Sequence, residues 1–367
     1  MRAPMRAAGK IRVMIVEDSP TMRMLLEGII GDDPRLEVAA SVASAEEALR
    51  VLAQVSPDVI SLDIRLPGMN GFQATRRIMA ERPTPIVVVS ASVEADDLKI
   101  SMNALDAGAL SVVEKPGGTS GAEHVALAQR LCRQLVIMSE VPVIRQRNQA
   151  RADRAGTHGA SARPATLAAP RSANYEALGV VASTGGPNAV LAILRELGSG
   201  YPLPILLVQH ITPSFLPGFV AWLDESCPLK TVVARDGETV RPGHVYVPTA
   251  ERHLELDGTR LRLTDGAPVS SQKPSGTVLL RTLARSLGPR ALAVLLTGMG
   301  DDGAEGLLAV RMAGGHTIAE DESTAVVYGM PAVAARIGAV DEMLPLHRIA
   351  GRLKEISVRE RTAADGP

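Results

Sequence analysis

Short runs of apolar, mostly β-branched residues alternate with amphipathic stretches over the N-terminal part of the chain. The runs predict strands buried on both faces, and the stretches predict helices that expose one side. The predicted strands are 11–16, 38–41, 59–62, 86–90 and 111–113, and the predicted helices are 22–30, 45–55 and 122–138. Such alternation is typical of a parallel sheet with helices on both faces. We therefore predict an α/β domain with a five-stranded parallel sheet over residues 11–138.

The same alternation resumes near residue 178 and predicts a second, doubly wound α/β domain over residues 176–357. Its predicted strands are 178–182, 205–209, 231–234, 245–248, 253–256, 261–263, 291–297 and 316–320. Within the short run of strands between Val245 and Leu263, Asp257-Gly258 is a residue pair typical of a tight hairpin turn. We therefore predict an antiparallel hairpin inserted in this domain.

Residues 139–175 separate the two patterned regions and have the composition of a flexible linker. Between Arg151 and Asn174 there are eight alanines and four arginines, and Leu167 is the only large aliphatic residue. Such a stretch buries too little apolar surface to order itself. Over residues 139–174, six arginines against two acids give a charge of +4, which we interpret as a solvated tether rather than a strip that binds a partner.

Length, charge and cysteine content narrow the class of protein. A chain of 367 residues exceeds the size of most single cores, which supports two domains. With 39 basic and 40 acidic side chains, bulk charge does not indicate a nucleic-acid-binding surface. No apolar run approaches the roughly 20 residues that span a bilayer, so no membrane insertion is expected. Cys132 and Cys227 match no metal-ligand spacing and, without a signal-peptide pattern, indicate a reducing, cytoplasmic compartment.

Four of the predicted strands in the first domain end in polar residues. Glu17 and Asp18 follow the first strand, Asp63 follows the third, Ser90 ends the fourth, and Lys115 follows the fifth closely. Because the carboxyl ends of parallel strands share one crevice, the acids predict a site for a hard divalent cation such as Mg²⁺, beside which Asp63 can accept a phosphoryl group. A serine and a lysine can contact the phosphoryl oxygens. Taken singly, each residue also fits a helix N-cap or a surface position.

In this order, these residues resemble the receiver domain of response regulators over about residues 11–135. The resemblance implies a flavodoxin-like fold and a histidine kinase as phosphodonor to Asp63. It implies phosphate sensing by Ser90 and Lys115. The Mg²⁺ ligands that it implies are Glu17, Asp18, Asp63 and the carbonyl group of Arg65. Receivers usually carry an aromatic switch residue two or three positions before the lysine, where this chain has Val112 and Val113, so we expect other packing changes to transmit the signal.

Three strands of the second domain end in the components of a hydrolytic triad. Ser183 follows strand 178–182, His210 follows strand 205–209, and Asp302 lies in the turn after strand 291–297. A serine hydroxyl becomes a nucleophile when an imidazole takes its proton and a carboxylate fixes the imidazole tautomer. The glycines after Ser183 also fit an anion-binding helix N-terminus, although their spacing matches no nucleotide-binding fingerprint. Ser183 as an N-cap and Asp302 as a turn residue are the ordinary structural alternatives.

The second domain resembles the catalytic domain of the chemotaxis protein-glutamate methylesterases, the CheB family, over about residues 178–355. The motifs that carry the resemblance are residues 182–187 (ASTGGP), Gln209-His210 and residues 296–303 (LTGMGDDG). The chain departs from the family pattern at Val181, where glycine is frequent, and at Gly276-Thr277, where Val-Asp is common. Asp301 stands where the family usually has asparagine, and we expect Asp302, not Asp301, to face His210.

This resemblance implies a phosphorylation-activated methylesterase, and by the same steps a glutamine deamidase, that acts on methyl-accepting chemoreceptors. It also implies that the phosphodonor is a histidine kinase of a chemotaxis pathway. It implies Ser183 as nucleophile, His210 as general base, Asp302 as orienting acid and a backbone amide near Met299 as oxyanion donor, with no cofactor in this domain. We expect the unphosphorylated receiver to cover the cleft that holds Ser183. A non-catalytic adaptor that only holds receptor helices is the alternative, and a DNA-binding output is less favoured because no basic face emerges.

Overall fold

The computed structural model describes residues 9–90, 102–105, 107–117, 121–141 and 174–357. The chain divides into two compact units, one within residues 1–159 and the other within residues 160–367. The linker predicted over residues 139–175 lies largely outside the described residues. Each unit is described by itself.

The first unit is a five-stranded sheet with the strand order β2-β1-β3-β4-β5, and all four neighbouring pairs are parallel. This confirms the predicted fold class. The helix α3 was not predicted; it begins at a capping box in which the side chains of Asn70 and Gln73 each accept a backbone N–H of the other. The elements are β1 (Ile11–Val16), α1 (Pro20–Asp32), β2 (Leu36–Val42), α2 (Ala45–Val55), β3 (Val59–Asp63), α3 (Gly71–Glu81), β4 (Ile86–Ser90), β5 (Ser111–Glu114) and α4 (Ala122–Ser139).

The strand order of the first unit reverses between β1 and β3. From this point the chain builds outward to β2 on one side and to β4 and β5 on the other. Connections leave the sheet in opposite directions at such a point, which opens a crevice at the carboxyl ends of the strands. Glu17 and Asp63 lie at these two ends, so the topology brings the predicted acids together.

The second unit contains a seven-stranded sheet with the order β14-β13-β12-β6-β7-β9-β8, and its neighbouring pairs are parallel. Its strand order reverses on the two sides of β6. The elements are β6 (Ala177–Ala182), α5 (Gly186–Leu197), β7 (Ile205–Gln209), α6 (Leu216–Ser226), β8 (Lys230–Val233), β9 (His244–Val247), β10 (His253–Asp257), β11 (Arg260–Thr264), α7 (Gly276–Leu287), β12 (Ala291–Leu295), α8 (Ala304–Met312), β13 (His316–Glu320), α9 (Met330–Arg336), β14 (Glu342–Leu344) and α10 (Leu346–Ser357).

The antiparallel hairpin forms from β10 and β11 as predicted, with Asp257 paired to Arg260 across its turn. The first of the short strands, β9, is not part of that hairpin. It lies in the main sheet, parallel to both β7 and β8, with Val245 and Tyr246 fully buried. A strand enclosed on both edges and both faces is stabilised more in the sheet than in an exposed hairpin.

Alternate residues of the central strand β6 face different helical layers. Leu178 and Val180 line a small apolar cavity with residues of α5. Val181 belongs instead to the core formed with α7 and the hairpin. At Gly179 a Cβ atom would lie 2.7 Å from Leu280 Cδ2, so this glycine lets α7 pack closely on the sheet. Helices on both faces make the unit doubly wound, as predicted.

Two further observations concern membrane-spanning helices and the chemistry of the cysteines. In the described ranges, no helix combines the length and apolar character needed to cross a bilayer. Both cysteines are free thiols. Burial raises the pKa of Cys132 to about 11, which keeps this thiol protonated and unreactive at neutral pH.

Candidate active site and phosphorylation site

Ser183 lies at the turn between β6 and α5, in the middle of the second sheet. Its N–H donates to the carbonyl of Thr297 at 3.0 Å, and its own carbonyl accepts from Gly186 at 2.9 Å. Gly185 has a φ of 77°, in the left-handed region, and a Cβ there would lie 2.5 Å from Val326 Cβ. The sequence therefore needs glycine here to turn sharply from strand to helix, which leaves Ser183 at the carboxyl end of the sheet.

His210 follows β7, the strand next to β6. Ala182 and Gln209 are paired in the ladder, and the His210 N–H donates to the carbonyl of Ala182 at 3.0 Å. Ser183 and His210 are therefore one step beyond the same rung. The imidazole Nε2 binds Asp302 Oδ2 at 2.8 Å. Across the described parts of the chain, the buried Nδ1 has no hydrogen-bond partner, so it is the nitrogen that can accept a proton.

Asp302 is held by four hydrogen bonds and is only 2% exposed. Besides the His210 ring, its carboxylate accepts from Ser275 Oγ at 2.6 Å, Gly276 N at 2.6 Å and Thr277 N at 3.1 Å. Burial by itself would raise the pKa of Asp302, but the bonds from His210, Ser275 and Thr277 lower it to about 2. The carboxylate is thus ionised at neutral pH.

The acid that faces His210 is Asp302, as predicted, whereas the neighbouring Asp301 is exposed. The N–H groups that hold Asp302 belong to the first turn of α7, where the backbone amides and the helix dipole favour an anion. Sequence reasoning did not assign this role to Ser275, Gly276 and Thr277. The sequence feature that could have indicated a helix beginning here is Ser275, after Lys273-Pro274, because serine is a favourable N-cap residue before an apolar helical run.

Two departures from the family pattern are in direct contact. At Gly276 a Cβ atom would lie only 2.2 Å from Val181 Cγ1 and 3.0 Å from its Cβ. The valine side chain therefore occupies the space that a side chain at position 276 would need. Thr277, the adjacent departure, accepts the N–H of Gly303 on its hydroxyl at 2.8 Å. Both changes are accommodated without loss of the amides that bind Asp302.

The turn after β12 brings a backbone amide to the serine. A Cβ at Gly298 would lie 2.7 Å from Ser183 Cβ, so this backbone runs directly against the serine. The Met299 side chain is 47% exposed. No hydrogen bond from the Met299 N–H to another described residue is found. This N–H directly follows Gly298 in the chain, and a free backbone N–H is the kind of donor that an oxyanion requires.

Glu320 is a buried acid behind the serine turn, and sequence reasoning missed it. It ends β13, is 0% exposed, and accepts the Thr297 N–H at 2.9 Å. Thr297 in turn binds the backbones of Ser183 and Thr184. Burial raises the pKa of Glu320 to about 7 despite the bond from Thr297. The sequence feature that could have indicated it is a charged residue directly after the apolar pair Ile318-Ala319, at the end of a predicted strand.

We expect Glu320→Gln to stabilise the second unit above pH 7 and to have little effect near pH 4. The unfolded carboxyl titrates near 4.5 and the folded one near 7. Below pH 4.5 the protonated carboxyl therefore contributes about 3 kcal/mol to the free energy of unfolding, and this contribution is lost as the pH rises through 7. Glutamine cannot ionise and keeps that stability. Thermal unfolding at pH 5 and pH 8 measures it, with exposed Glu322→Gln as control; equal Tm differences at both pH values would contradict it.

The first unit brings together its predicted acids and lysine. Lys115 Nζ lies 2.9 Å from Asp63 Oδ2 and 2.9 Å from Glu17 Oε2. Oxygens of Glu17, Asp18 and Asp63 lie within 4.8 Å of one another. Burial raises the pKa of both Glu17 and Asp63, although Lys115 opposes this. One ammonium facing three carboxylates leaves a negative excess that fits a divalent cation.

The remaining predicted residues lie around Asp63. Ser90 is buried at the end of β4, next to β3, and its hydroxyl has no hydrogen-bond partner within the described ranges. Its carbonyl accepts the N–H of Lys115 at 2.9 Å. Arg65 donates its backbone N–H to Asp63 Oδ1 at 3.2 Å. The unpaired hydroxyl of Ser90 is available to a phosphoryl oxygen.

Comparison with known proteins gives two family matches in chain order. Residues 13–124 match the response regulator receiver domain, and residues 178–353 match the CheB methylesterase. A protein of Paramagnetospirillum magneticum called protein-glutamate methylesterase/protein-glutamine glutaminase 2 is 52% identical over 95% of this chain and 98% of that protein. Similarly named proteins of Anaeromyxobacter dehalogenans and Nitrosospira multiformis are 43% and 41% identical, each over 98% of their length.

Proposed function

We propose, given that this chain belongs to the family of response-regulator-linked protein-glutamate methylesterases and glutaminases, that it hydrolyses glutamate γ-methyl esters on methyl-accepting chemoreceptors. The observation that carries the proposal is the buried Asp302–His210 pair, placed one strand away from Ser183. We assign residues 11–138 to the receiver, 139–175 to the linker and 176–357 to the catalytic domain.

The imidazole of His210 is prepared to act as a base. Its Nε2 carries the proton that is donated to the ionised Asp302, which leaves Nδ1 unprotonated. Nδ1 can therefore accept the hydroxyl proton of Ser183. Asp302 stabilises the imidazolium that results and keeps the ring from turning.

Hydrolysis then proceeds in two halves. Ser183 Oγ forms a bond to the ester carbonyl carbon, and the Met299 N–H stabilises the negative oxygen. The C–O bond to the methoxy group breaks, and His210 gives its proton to the departing methanol. Water, deprotonated by His210, next attacks the acyl-enzyme and releases glutamate and free Ser183. A glutamine γ-amide follows the same steps with ammonia as leaving group.

The receiver controls this activity through phosphorylation of Asp63 by a histidine kinase. Mg²⁺, held by Glu17, Asp18 and Asp63 with the Arg65 carbonyl, would offset the charge of the incoming phosphate. Ser90 and Lys115 contact the phosphoryl oxygens by hydrogen bond and charge. The buried, unpaired Ser90 hydroxyl and the Lys115–Asp63 ion pair support these roles.

The direct test is methanol release from methyl-labelled chemoreceptors by the full chain, with and without a small phosphodonor and Mg²⁺. We expect release of labelled methanol in both cases and a higher rate with the phosphodonor. Absence of release under both conditions would refute the esterase proposal. A fluorophosphonate probe separates an enzyme from a non-catalytic adaptor, because only an activated Ser183 becomes labelled.

We expect Asp63→Asn to abolish the increase in rate caused by the phosphodonor, because an amide cannot accept a phosphoryl group at this position. The exposed Asp32→Asn, in the same unit, is the matched control and should keep the full increase. The measurement is the ratio of methanol release rates with and without phosphodonor. If the ratio of Asp63→Asn equalled that of the control, Asp63 would not be the regulatory site.

A further inference from the structure

We propose that Gln209 is a positioning residue that fixes Ser183 and His210 relative to each other; this rests on the proposed function. Its side-chain amide nitrogen donates to the Ser183 carbonyl at 2.8 Å and to the His210 carbonyl at 3.0 Å. A primary amide has two N–H donors, so both are used. One side chain thus binds the main chain of the nucleophile and that of the base.

These two bonds occur where the β-ladder stops. The last paired residues of β6 and β7 are Ala182 and Gln209, and the last backbone bond runs from His210 N to the Ala182 carbonyl. Beyond this rung, Ser183 turns into a helix and His210 enters a loop. The amide of Gln209 continues the connection between the two chains by one further step, at the point where both side chains must meet.

Gly186 leaves the space that this arrangement requires. A Cβ atom at position 186 would lie 2.1 Å from Gln209 Oε1 and 2.8 Å from Ala182 Cβ. The Gly186 N–H also donates to the Ser183 carbonyl, at 2.9 Å. The first turn of α5 and the amide of Gln209 therefore hold the same carbonyl group from two sides.

The side-chain oxygen of Gln209 does not contribute to fold stability. Gln209 is 3% exposed, and its Oε1 has no hydrogen-bond partner among the residues that the structure describes. A buried acceptor without a partner costs free energy that an apolar side chain would avoid. Polar groups retained at such a cost concentrate at functional sites.

The test is Gln209→Met, which keeps the length of the side chain and removes both donors. The Ser183 carbonyl keeps its bond from Gly186, and removal of the unpaired Gln209 Oε1 offsets the donor that the His210 carbonyl loses, so we expect a change in Tm of only a few degrees. We expect kcat for methanol release to fall about 100-fold, because misplacement of reacting groups by about 1 Å has that effect. KM should stay within about twofold, and the rate of fluorophosphonate labelling should fall with kcat.

Thr317→Val is the matched control. Thr317 is fully buried near the amino end of β13, at the opposite end of the strands of the same sheet from Ser183. Its hydroxyl lies 2.8 Å from the Ala339 carbonyl and 3.0 Å from Asp341 Oδ2, and it accepts the Asp341 N–H at 3.0 Å. This variant loses buried hydrogen bonds away from the site, so it should lose stability and keep kcat. A role of Gln209 that is merely structural would give both variants the same pattern.

A double-mutant cycle with Gly186→Ala tests the same contact independently. Alone, the new methyl group displaces the amide of Gln209, so kcat should fall about as far as in Gln209→Met. In a Gln209→Ala background, the amide is absent and Gly186→Ala should lower kcat far less. The clash with Ala182 is common to both backgrounds and cancels.

The outcomes separate this inference from the proposed function. If the wild-type chain releases no methanol, the proposed function fails. If the wild type is active and Gln209→Met keeps kcat within threefold of Thr317→Val, or the cycle is additive, positioning by Gln209 is overturned. Failure of Gln209→Met to fold, with Thr317→Val folded, would also overturn it, because the residue would then serve the fold.

Discussion

Replacing Ser183 by alanine is expected to lower kcat for methanol release by about 10⁵–10⁶-fold, because loss of the nucleophile removes the acyl-enzyme route entirely. The hydrogen bonds of Ser183 with Thr297, Gly186 and Gln209 all use its backbone, so the alanine variant keeps them. The Tm of the catalytic domain should therefore change by a few degrees at most. Fluorophosphonate labelling should disappear together with methanol release.

The exposed Ser323→Ala is the matched control for this variant. It removes a hydroxyl of the same kind from the same domain and should keep kcat and labelling at the wild-type level. Methanol release by Ser183→Ala at a rate close to that of Ser323→Ala would show that another group performs the attack. The assignment of the triad would then be wrong, even though the fold is unchanged.

Replacing Asp302 by asparagine is expected to lower kcat by about 10⁴-fold, because a neutral amide neither fixes the imidazole tautomer nor stabilises the imidazolium. The same change also costs stability. Four donors point at the carboxylate, from His210, Ser275, Gly276 and Thr277. The NH₂ group of asparagine would face some of these donors and leave N–H groups unpaired in a buried place.

The loss of stability in Asp302→Asn should depend on pH in a defined direction. The pKa of this carboxyl is lowered from 3.8 to about 2 on folding. The ionised group therefore contributes stability above pH 3.8, by about 2 kcal/mol, and that contribution is lost as pH falls through 2. We expect the Tm gap between wild type and Asp302→Asn to be widest near pH 7 and to narrow towards pH 2.

Asp301→Asn is the control for both effects, because it makes the same chemical change on an exposed neighbour. We expect its kcat to stay within about twofold of wild type and its Tm to equal that of wild type at every pH. A loss of kcat in Asp301→Asn as large as that in Asp302→Asn would contradict the assignment of the orienting acid. A Tm gap for Asp302→Asn that widened towards acid would contradict the lowered pKa.

The fold class, every strand except β14 and the candidate site residues could be predicted from the local sequence pattern. Strands such as 11–16, 86–90 and 205–209 were predicted with the bounds that the structure shows, because burial on both faces leaves a nearly continuous apolar run. The carboxyl ends of parallel strands must open at one edge, so residues directly after such runs could be assigned to a site. The pairing of His210 with Asp302, and that of Asp63 with Lys115, follow from that rule.

The contacts that hold these site residues in place could be determined only from the folded structure. Three features depend on the register between segments far apart in sequence. The strand β9 joins the main sheet, the first turn of α7 holds Asp302, and Gln209 binds the main chain of Ser183. The periodicity of apolar residues along the sequence indicates which residues are buried, but it does not indicate which residues they contact. Val181 and Gly276, separate departures in the sequence, are one packing contact in space. Close packing sets such contacts, and only the folded chain brings them together.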